Sequence, residues 1–343
     1  MDKVDAGILI SMAKNPRNVT AVARKLGLPA ETVRYRVKRM LENYTVKFFG
    51  VPNLPKLGLI PYLVFFNSKF SRALEAVLDS HPYVNYVARC YGDFNGYLVN
   101  LLAPRGAEDE AIAHFKELVK GYAEGFLALP RFPFEYPLPD FEKYYDREER
   151  RWRCPWTRLL RYALKPAKRP TISLPREVLL DPVDISIISE LQVDALVKMS
   201  ELANRLGLSP ASLRYHFVNH VLARGLIRYA VRYLAYPKEP LSAFVIEADT
   251  GVEGLMEGFK GLPPVHGVAS SLDGTKLILF VRASHEVKLG LYKVLKGLMD
   301  VGVVNGYLEV ILDPSYVRKY SIPGPKYYRA GRWVMEEVVR ARQ

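Results

Sequence analysis

The chain has little cysteine and no long apolar run. Its two cysteines, Cys90 and Cys154, have no paired spacing, which excludes a disulfide framework and a cysteine-ligated zinc site. The longest uncharged stretch, Leu57 to Ser68, has twelve residues, whereas a membrane span needs roughly 20 apolar residues. The first five residues lack the basic-then-apolar layout of a secretory signal. We therefore expect a cytoplasmic protein that makes no use of a membrane.

Familiar catalytic motifs are also missing from the sequence. It contains no glycine-rich phosphate loop, no Gly-x-Ser-x-Gly and no His-Glu-x-x-His. The six histidines are scattered, apart from His216 and His220, which are spaced i, i+4. The sequence therefore predicts no catalytic residue, no cofactor and no metal site.

Positive charge is concentrated in four windows. Residues 14–47, 147–176, 198–232 and 314–343 carry net charges of +7, +8, +5 and +5, whereas the whole chain carries +13. The remainder is therefore acidic, and basic patches on an acidic background are typical of a protein that grips a polyanion at defined places. Only two glutamines and 24 prolines occur, a composition typical of thermophiles.

The chain contains an internal repeat. Residues 21–37, AVARKLGLPAETVRYRV, align without a gap with residues 201–217, ELANRLGLSPASLRYHF, at an offset of 180. Upstream, Asp5 and Asp184 match at an offset of 179. This self-similarity indicates two copies of one unit.

Each copy reads as three helices with a sharp corner between the second and the third. Gly27 and Gly207 stand where a helix stops and reverses, a position that favours φ > 0. The third helix starts after Pro29 in the first copy, and after Ser209 as N-cap in the second. Each third helix has an apolar stripe and a polar or basic outer face, as in a helix-turn-helix that enters a major groove. The predicted stripes comprise Val33, Val37, Met40 and Leu41, and Leu213, Phe217, Val221 and Leu222.

A strand-rich segment of about 90 residues follows each copy. Both segments read β-α-β-β-α-β, with Asn95-Gly96 and Asp273-Gly274 as hairpin turns between the middle strands. The predicted fold class is α+β, with two winged helix-turn-helix domains, each followed by a ferredoxin-like domain. The predicted segments are a helix-turn-helix at 1–50, a ferredoxin-like domain at 51–139, a basic linker at 140–180, a helix-turn-helix at 181–236, a ferredoxin-like domain at 237–313 and a basic tail at 314–343.

The order of these parts resembles the Lrp/AsnC family of transcription regulators. The residues that carry the resemblance are Leu26-Gly27-Leu28, the run Val33 to Glu42, Leu57-Gly58-Leu59 and Tyr91-Gly92-Asp93-Phe94-Asn95. The family has one such unit per chain and dimerises through its sheets, so this tandem duplication resembles a dimer written as one polypeptide. The resemblance implies a sequence-specific regulator that binds double-stranded DNA in the nucleoid, as a monomeric pseudo-dimer or a homodimer.

The outer faces of the two third helices supply the predicted DNA contacts. Arginine pairs with guanine and asparagine with adenine, whereas lysine more often holds phosphates. We expect contacts from Thr32, Arg34, Tyr35, Arg36, Lys38, Arg39, Ser212, Arg214, Tyr215, His216 and Asn219. Each tyrosine has two interpretations, packing on its helical partner or touching the DNA backbone.

The family resemblance also implies a small effector, such as an amino acid, near the hairpin after the second strand. Gly92, Asp93 and Asn95 occupy that place, with a plain turn as the alternative. Lys143-Tyr144-Tyr145 with Trp152 is echoed by Lys326-Tyr327-Tyr328 with Trp333, which predicts either a clamp on nucleic acid or a packed connector. Lys165 to Pro175 is expected to be extended.

Two other functions stay open. Siroheme decarboxylases resemble the same two-part architecture and use histidines around the middle strands, where this chain has Arg89, Cys90, Tyr91 and, in its second half, His266. A chromatin protein that binds DNA without sequence preference is the third reading.

The unlike third helices predict an asymmetric DNA site. Arg36, Lys38 and Arg39 are replaced by His216, Val218 and Asn219 in the second copy, whereas identical halves would read a palindrome. Replacing one half-site by a copy of the other should weaken binding in a titration of labelled duplex. Equal affinity for the native and the symmetrised site would contradict this prediction.

Overall fold

The computed structural model of the chain divides into two compact units, each assembled from three segments. It describes residues 2–43, 46–163, 173–248 and 251–335. Unit 1 comprises residues 1–48, 134–172 and 229–311. Unit 2 comprises residues 49–133, 173–228 and 312–343. Each unit thus combines a helix-turn-helix from one half of the sequence with a strand-rich segment from the other half.

The described residues form twelve α-helices, a π-helix and a short 3₁₀-helix. The α-helices are α1 Lys3–Met12, α2 Val19–Leu26, α3 Ala30–Glu42, α4 Arg72–Ser80, α5 Glu108–Val119, α6 Phe141–Tyr144, α7 Arg158–Ala163, α8 Pro182–Val193, α9 Met199–Arg205, α10 Pro210–Tyr215, α11 Val252–Phe259 and α12 His285–Asp300. The π-helix is His216–Leu222, and the 3₁₀-helix is Pro325–Tyr327. None of the described helices is long and apolar enough to span a membrane.

Fourteen strands are found among the same residues. They are β1 Val46–Pro52, β2 Leu59–Ser68, β3 Val84–Gly92, β4 Gly96–Pro104, β5 Ala123–Pro130, β6 Tyr145–Asp146, β7 Arg151–Trp152, β8 Ile227–Tyr233, β9 Leu241–Glu247, β10 Val265–Ser270, β11 Lys276–Arg282, β12 Gly306–Lys319, β13 Tyr328–Arg329 and β14 Arg332–Trp333.

Both helix-turn-helix segments begin with an aspartate capping box. The Asp2 carboxylate accepts from the Asp5 backbone N–H, and Asp181 and Asp184 form the equivalent box on α8. The corner glycines Gly27 and Gly207 adopt φ of +65° and +64°, the left-handed region that a residue with a side chain enters at a cost. Capping and corner residues therefore set the helix boundaries from the sequence.

The ferredoxin-like sheets are confirmed in both units, with the same strand order. Unit 2 has the order β3-β4-β2-β5, and unit 1 has β10-β11-β9-β12. The measured β2–β4, β3–β4, β9–β11 and β10–β11 pairings are antiparallel. In each case the first strand of the β-α-β-β-α-β unit lies inside the sheet and is flanked by the third and fourth. The predicted α+β fold class is therefore correct.

A separate hydrophobic core fills each unit. In unit 1, Phe244, Phe259 and Leu295 are fully buried among the strands and α11, together with Leu159 of α7. In unit 2, Phe66, Tyr97 and Phe115 occupy the equivalent layer between β2, β4 and α5. Burying a large side chain stabilises the fold by about 1.5–3 kcal/mol, so the sheets supply the rigid support for the rest of each unit.

Three features differ from the sequence prediction. Strands β1 and β8, which follow the two helix-turn-helix segments, were not predicted, and β12 continues to Lys319 rather than ending at Leu312. Leu222, placed in the apolar stripe, is 38% exposed. A π-helix hydrogen bond, from Ala223 N–H to the Val218 carbonyl, widens this turn by one residue and rotates Leu222 outward.

The predicted segment boundaries describe the order of parts along the sequence and stay a prediction. Most of the extended stretch predicted for Lys165 to Pro175 lies outside the described residues, as does the end of the predicted tail beyond residue 335.

Gly96 begins β4 at a close approach of two backbones in unit 2. A Cβ added there would lie 2.3 Å from the Phe66 carbonyl oxygen and 2.6 Å from the Ser68 nitrogen. We expect Gly96→Ala to lower the free energy of unfolding by about 3 kcal/mol, because backbone atoms cannot yield as a side chain can. Denaturant titration measures this, and Gly121→Ala is the matched control because its Cβ would meet nothing within 4 Å. Equal stability of the two variants would contradict the prediction.

Candidate nucleic-acid interface

The outer face of α3 carries most of the residues predicted for the first copy. Arg34, Tyr35, Lys38 and Arg39 are exposed, while Val33, Val37 and Met40 are buried on the opposite face. Tyr35 is 66% exposed and therefore does not pack into unit 1. Among the described residues, Arg34 and Lys38 form ion pairs with acids of their own helix, Glu31 and Glu42. Exposed pairs of this kind contribute about 0–1 kcal/mol, so these cations can exchange their partners for phosphates.

Arg36 lies on the inner border of the same helix and is already engaged. Its Nη1 donates to Asp2 Oδ2 at 2.5 Å and to Asp5 Oδ1 at 2.9 Å, and its side chain is only 24% exposed. Arg39 donates to the other Asp5 oxygen at 3.1 Å. These hydrogen bonds raise the pKa of Arg36 and lower the pKa of Asp2 against the opposing effect of burial. The ion pairs of Arg36 and Arg39 with these aspartates tie α3 to α1.

The third helix of the second copy has an α-helical start and a π-helical end. Ser209 caps it by accepting from the Ser212 N–H at 3.1 Å, as predicted, and Pro210 follows at the first helical position. Arg214, Tyr215 and Asn219 are exposed, and Leu213, Phe217 and Val221 are buried. Thr32 and Ser212 are half-buried near the two helix starts.

His216 and His220 turn inward, toward a buried carboxylate. His216 Nδ1 lies 2.8 Å from Asp184 Oδ1, and His220 Nδ1 lies 3.1 Å from Asp184 Oδ2. The histidine side chains are 16% and 18% exposed, and the Asp184 side chain is fully buried. Tyr215 places its ring edge-on to both imidazoles, at centroid distances of 5.8 and 5.1 Å. Part of the Tyr215 ring therefore packs within its own helix, which is one of the two interpretations given for this residue.

The hairpin predicted for an effector is closed by its own hydrogen bonds. The Asn95 side chain accepts from Gly92 N–H at 3.4 Å and donates to the Gly92 carbonyl at 3.0 Å. The Asn95 N–H donates to Asn67 Oδ1 at 2.7 Å. Gly92, Asp93 and Asn95 are all exposed. These contacts are those of a turn, the alternative interpretation of this segment.

The echoed Tyr and Trp residues of the linker and the tail form matching two-residue hairpins. Tyr145 pairs with Trp152 on β6–β7, and Tyr328 pairs with Trp333 on β13–β14. Trp333 is buried, and its indole N–H donates to the Leu57 carbonyl at 2.6 Å. Trp152 packs against Tyr145, Phe141 and Tyr233. The rings therefore serve packing within each unit.

On the middle strands of the two sheets, Arg89, Cys90 and His266 are paired or have shifted pKa values that keep them neutral. Arg89 donates to Glu75 at 2.8 Å, and burial raises the pKa of the Cys90 thiol to about 12. In unit 1, His266 is buried, and its Nε2 has no hydrogen-bond partner among the described residues. Burial, together with the charges of Arg282 and Arg232, lowers the pKa of His266 to about 3. The imidazole is thus neutral at ordinary pH.

Sequence comparison gives a family match for the helix-turn-helix segment of the second copy. Residues 180–215 match the AsnC-type helix-turn-helix domain family. The second helix-turn-helix segment is therefore similar to an AsnC-type helix-turn-helix domain. A 61-residue stretch is 43% identical to an uncharacterized HTH-type transcriptional regulator of Pyrococcus furiosus and 41% identical to one of Pyrococcus horikoshii. That stretch is 17% of this chain and 41% of each regulator, so the chain spans less than half the length of the relatives it matches. The resemblance to Lrp/AsnC regulators is confirmed for this helix-turn-helix segment.

A fold resemblance extends over nearly the whole chain. The structure of the siroheme decarboxylase NirDL superposes with a TM-score of 0.54 at 17% identity and covers 94% of both chains. A second NirDL structure, with an iron-uroporphyrin III analogue, gives the same TM-score and coverage at 15% identity. At this identity the likeness shows a shared tandem fold and nothing about the chemistry of the site.

The sequence reasoning missed the inward role of Arg36 and the convergence of Asp184 with the two histidines. A signal was present, because Asp5 and Asp184 match upstream of the aligned repeat and His216 and His220 are spaced i, i+4. Residues at that spacing share one face of a helix. What the pattern could not supply was the packing of the first helix against that face.

His266 predicts a dependence of stability on pH. A histidine whose folded pKa lies below its unfolded value of about 6.5 stabilises the fold above that value, and stability falls as the pH drops toward the folded pKa. Between pH 6.5 and 4.5 the loss should be about 2 kcal/mol from this residue. We expect His266→Gln to reduce the pH dependence by that amount in denaturant titrations, with exposed His285→Gln as control. An unchanged slope for His266→Gln would rule this out.

Proposed function

We propose that this protein is a sequence-reading DNA-binding regulator of the Lrp/AsnC type with no catalysis of its own. Each third helix would enter a major groove and use its exposed face to contact bases and phosphates. The observation that carries this proposal is the matched exposure of Arg34 and Arg214. Both stand at the same position of the repeat, outside an apolar stripe that is buried.

The residues expected to contact DNA fall into two groups, those exposed to solvent and those already held by aspartates. Arg34, Lys38, Arg214 and Asn219 are exposed and suited to reach DNA. Arg36 and His216 are held by aspartates, and we propose that they orient the third helices from within. This assigns positioning roles to two of the eleven residues expected to touch DNA.

The two outer faces differ in charge, and this supports an asymmetric site. Exposed Lys38 and Arg39 of α3 correspond to exposed Val218 and Asn219 in the second copy. The first copy would therefore make more phosphate contacts, and the second more neutral contacts. Because both copies belong to one polypeptide, the second contact needs no dimerisation equilibrium.

A small effector stays a proposal with less support. The hairpin Gly92–Asn95 satisfies its polar groups internally, so an effector such as an amino acid would have to displace those bonds. DNA binding would place the protein in the nucleoid.

The siroheme alternative rests on the fold of NirDL alone. The histidine that this alternative would use, His266, is buried and neutral, and Arg89 and Cys90 of the other sheet are paired or unreactive. The contacts described here therefore favour DNA binding.

Selection of bound duplexes from a random pool, followed by anisotropy titrations, tests the proposal. Arg34→Ala and Arg214→Ala should each weaken binding to the selected site by about tenfold or more, since a base-reading arginine contributes about 1–3 kcal/mol. Lys38→Ala should weaken binding to all sequences and reduce the slope of log affinity against log salt by about one.

Arg72→Ala is the matched control, because Arg72 is an exposed arginine on α4, outside both helix-turn-helix segments. Equal affinities for Arg34→Ala, Arg214→Ala and Arg72→Ala would overturn the proposed interface. Binding without any enriched sequence would instead identify a non-specific chromatin protein.

A further inference from the structure

We propose that Asp184, His216 and His220 form a binding site for one first-row divalent cation of the zinc type. The three side chains come from two different helical segments, α8 and the π-helix that ends the third helix. Each offers one ligand atom, and these atoms all lie within 4.8 Å of one another. The sequence alone predicts no metal site, because the histidines do not cluster and the one i, i+4 pair lies on the predicted recognition helix.

The buried carboxylate of Asp184 needs a positive charge beside it. Its side chain is fully buried, and it contacts the two imidazoles and accepts from the Asp181 N–H at 3.4 Å. A buried carboxylate without a compensating charge is costly, so buried charges in proteins are paired or coordinate a metal.

The first copy of the repeat shows how the same requirement is met without a metal. Asp5 stands at the matching place on α1, and guanidinium groups of Arg36 and Arg39 contact its two oxygens at 2.9 and 3.1 Å. In the second copy, His216 replaces Arg36 at the aligned position, and Asn219 replaces Arg39. The second copy therefore keeps the buried carboxylate but lacks both permanently charged guanidinium groups. A bound cation can take their place.

The donor geometry fits a small tetrahedral ion. With metal–ligand bonds of about 2.0–2.2 Å, neighbouring donors lie roughly 3.4 Å apart in a tetrahedral site. The Nδ1 atoms of His216 and His220 lie 2.8 and 3.2 Å from the same Asp184 oxygen, Oδ1, so these two distances need to open by a few tenths of an ångström. The three ligand atoms now lie within 4.8 Å of one another, so the two imidazoles would draw together around the ion. Imidazole nitrogen with one carboxylate oxygen is a donor set that suits zinc and its neighbours rather than magnesium or calcium.

The π-helix explains why both imidazoles reach one point. Both histidines belong to this element, which spans His216–Leu222, and their ring centroids lie 4.8 Å apart. Single π-turns are frequent at functional sites. Each imidazole can move its proton from Nδ1 to Nε2, so Nδ1 becomes a ligand with no net release of protons.

Partial exposure of the histidines leaves access for the ion and room for a water as a further ligand. Their side chains are 16% and 18% exposed. A bound ion would join α8 to the helix that carries Arg214, so metal binding would stabilise the second helix-turn-helix. The site itself stands independently of DNA binding.

Cobalt(II) titration of the chelator-treated full-length protein tests the proposal. We expect visible d–d absorption that saturates at about one equivalent per chain, displacement of the bands by zinc, and a higher Tm in the presence of either ion. His216→Arg is the decisive variant, because it restores the guanidinium found beside Asp5 and so retains the charge that the buried carboxylate needs. It should lose the cobalt bands, with affinity lowered more than about tenfold, while the apo protein stays folded.

Two controls locate the ion. His220→Ala should also lose the bands, whereas His285→Gln, an exposed histidine in unit 1, should bind cobalt as the unmodified chain does. Absence of d–d bands and of a Tm shift in the unmodified chain would overturn the proposal. Bands that persist in both His216→Arg and His220→Ala would overturn it as well, because the ion would then lie elsewhere. Neither result depends on whether the protein binds DNA.

Discussion

A buried aspartate ties the first helix to the third in each helix-turn-helix, and the outer face of the third helix depends on that contact. Asp5 and Asp184 are the third helical residues of capping boxes, so their backbone position is set by the helix start, while their carboxylates reach the inner border of the third helix. The orientation of Arg34 and Arg214 follows, because each lies two residues before the side chain that is held.

Duplication within one chain has allowed these two contacts to diverge. The first copy satisfies its aspartate with arginines, whose charge is permanent. The second copy uses histidines, whose charge depends on a proton and whose lone pairs can bind a metal. Both copies keep the corner glycine, the aspartate capping box on the first helix and a buried apolar face on the third helix. At the polar border of the third helix, a change of partner alters the chemistry beside the aspartate.

Many elements could be predicted because their signals are local. The cap at Ser209 and the left-handed corners at Gly27 and Gly207 agree with the structure. Leu222 was placed wrongly because the stripe was drawn at 3.6 residues per turn, and a π-turn breaks that period. The extension of β12 to Lys319 was missed because Asp313-Pro314-Ser315, directly after Leu312, is a turn-type sequence and proline is rare within strands.

The sequence by itself determined the helix-turn-helix helices, the repeated β-α-β-β-α-β order and the outward direction of most basic residues on the third helices, because helix periodicity and caps act over a few residues. Tertiary structure decided which strand-rich segment completes the compact unit of each helix-turn-helix, and it decided that Arg36, His216 and His220 face an aspartate more than 30 positions away. Contacts at that separation depend on how helices pack, and packing joins surfaces that no local pattern relates.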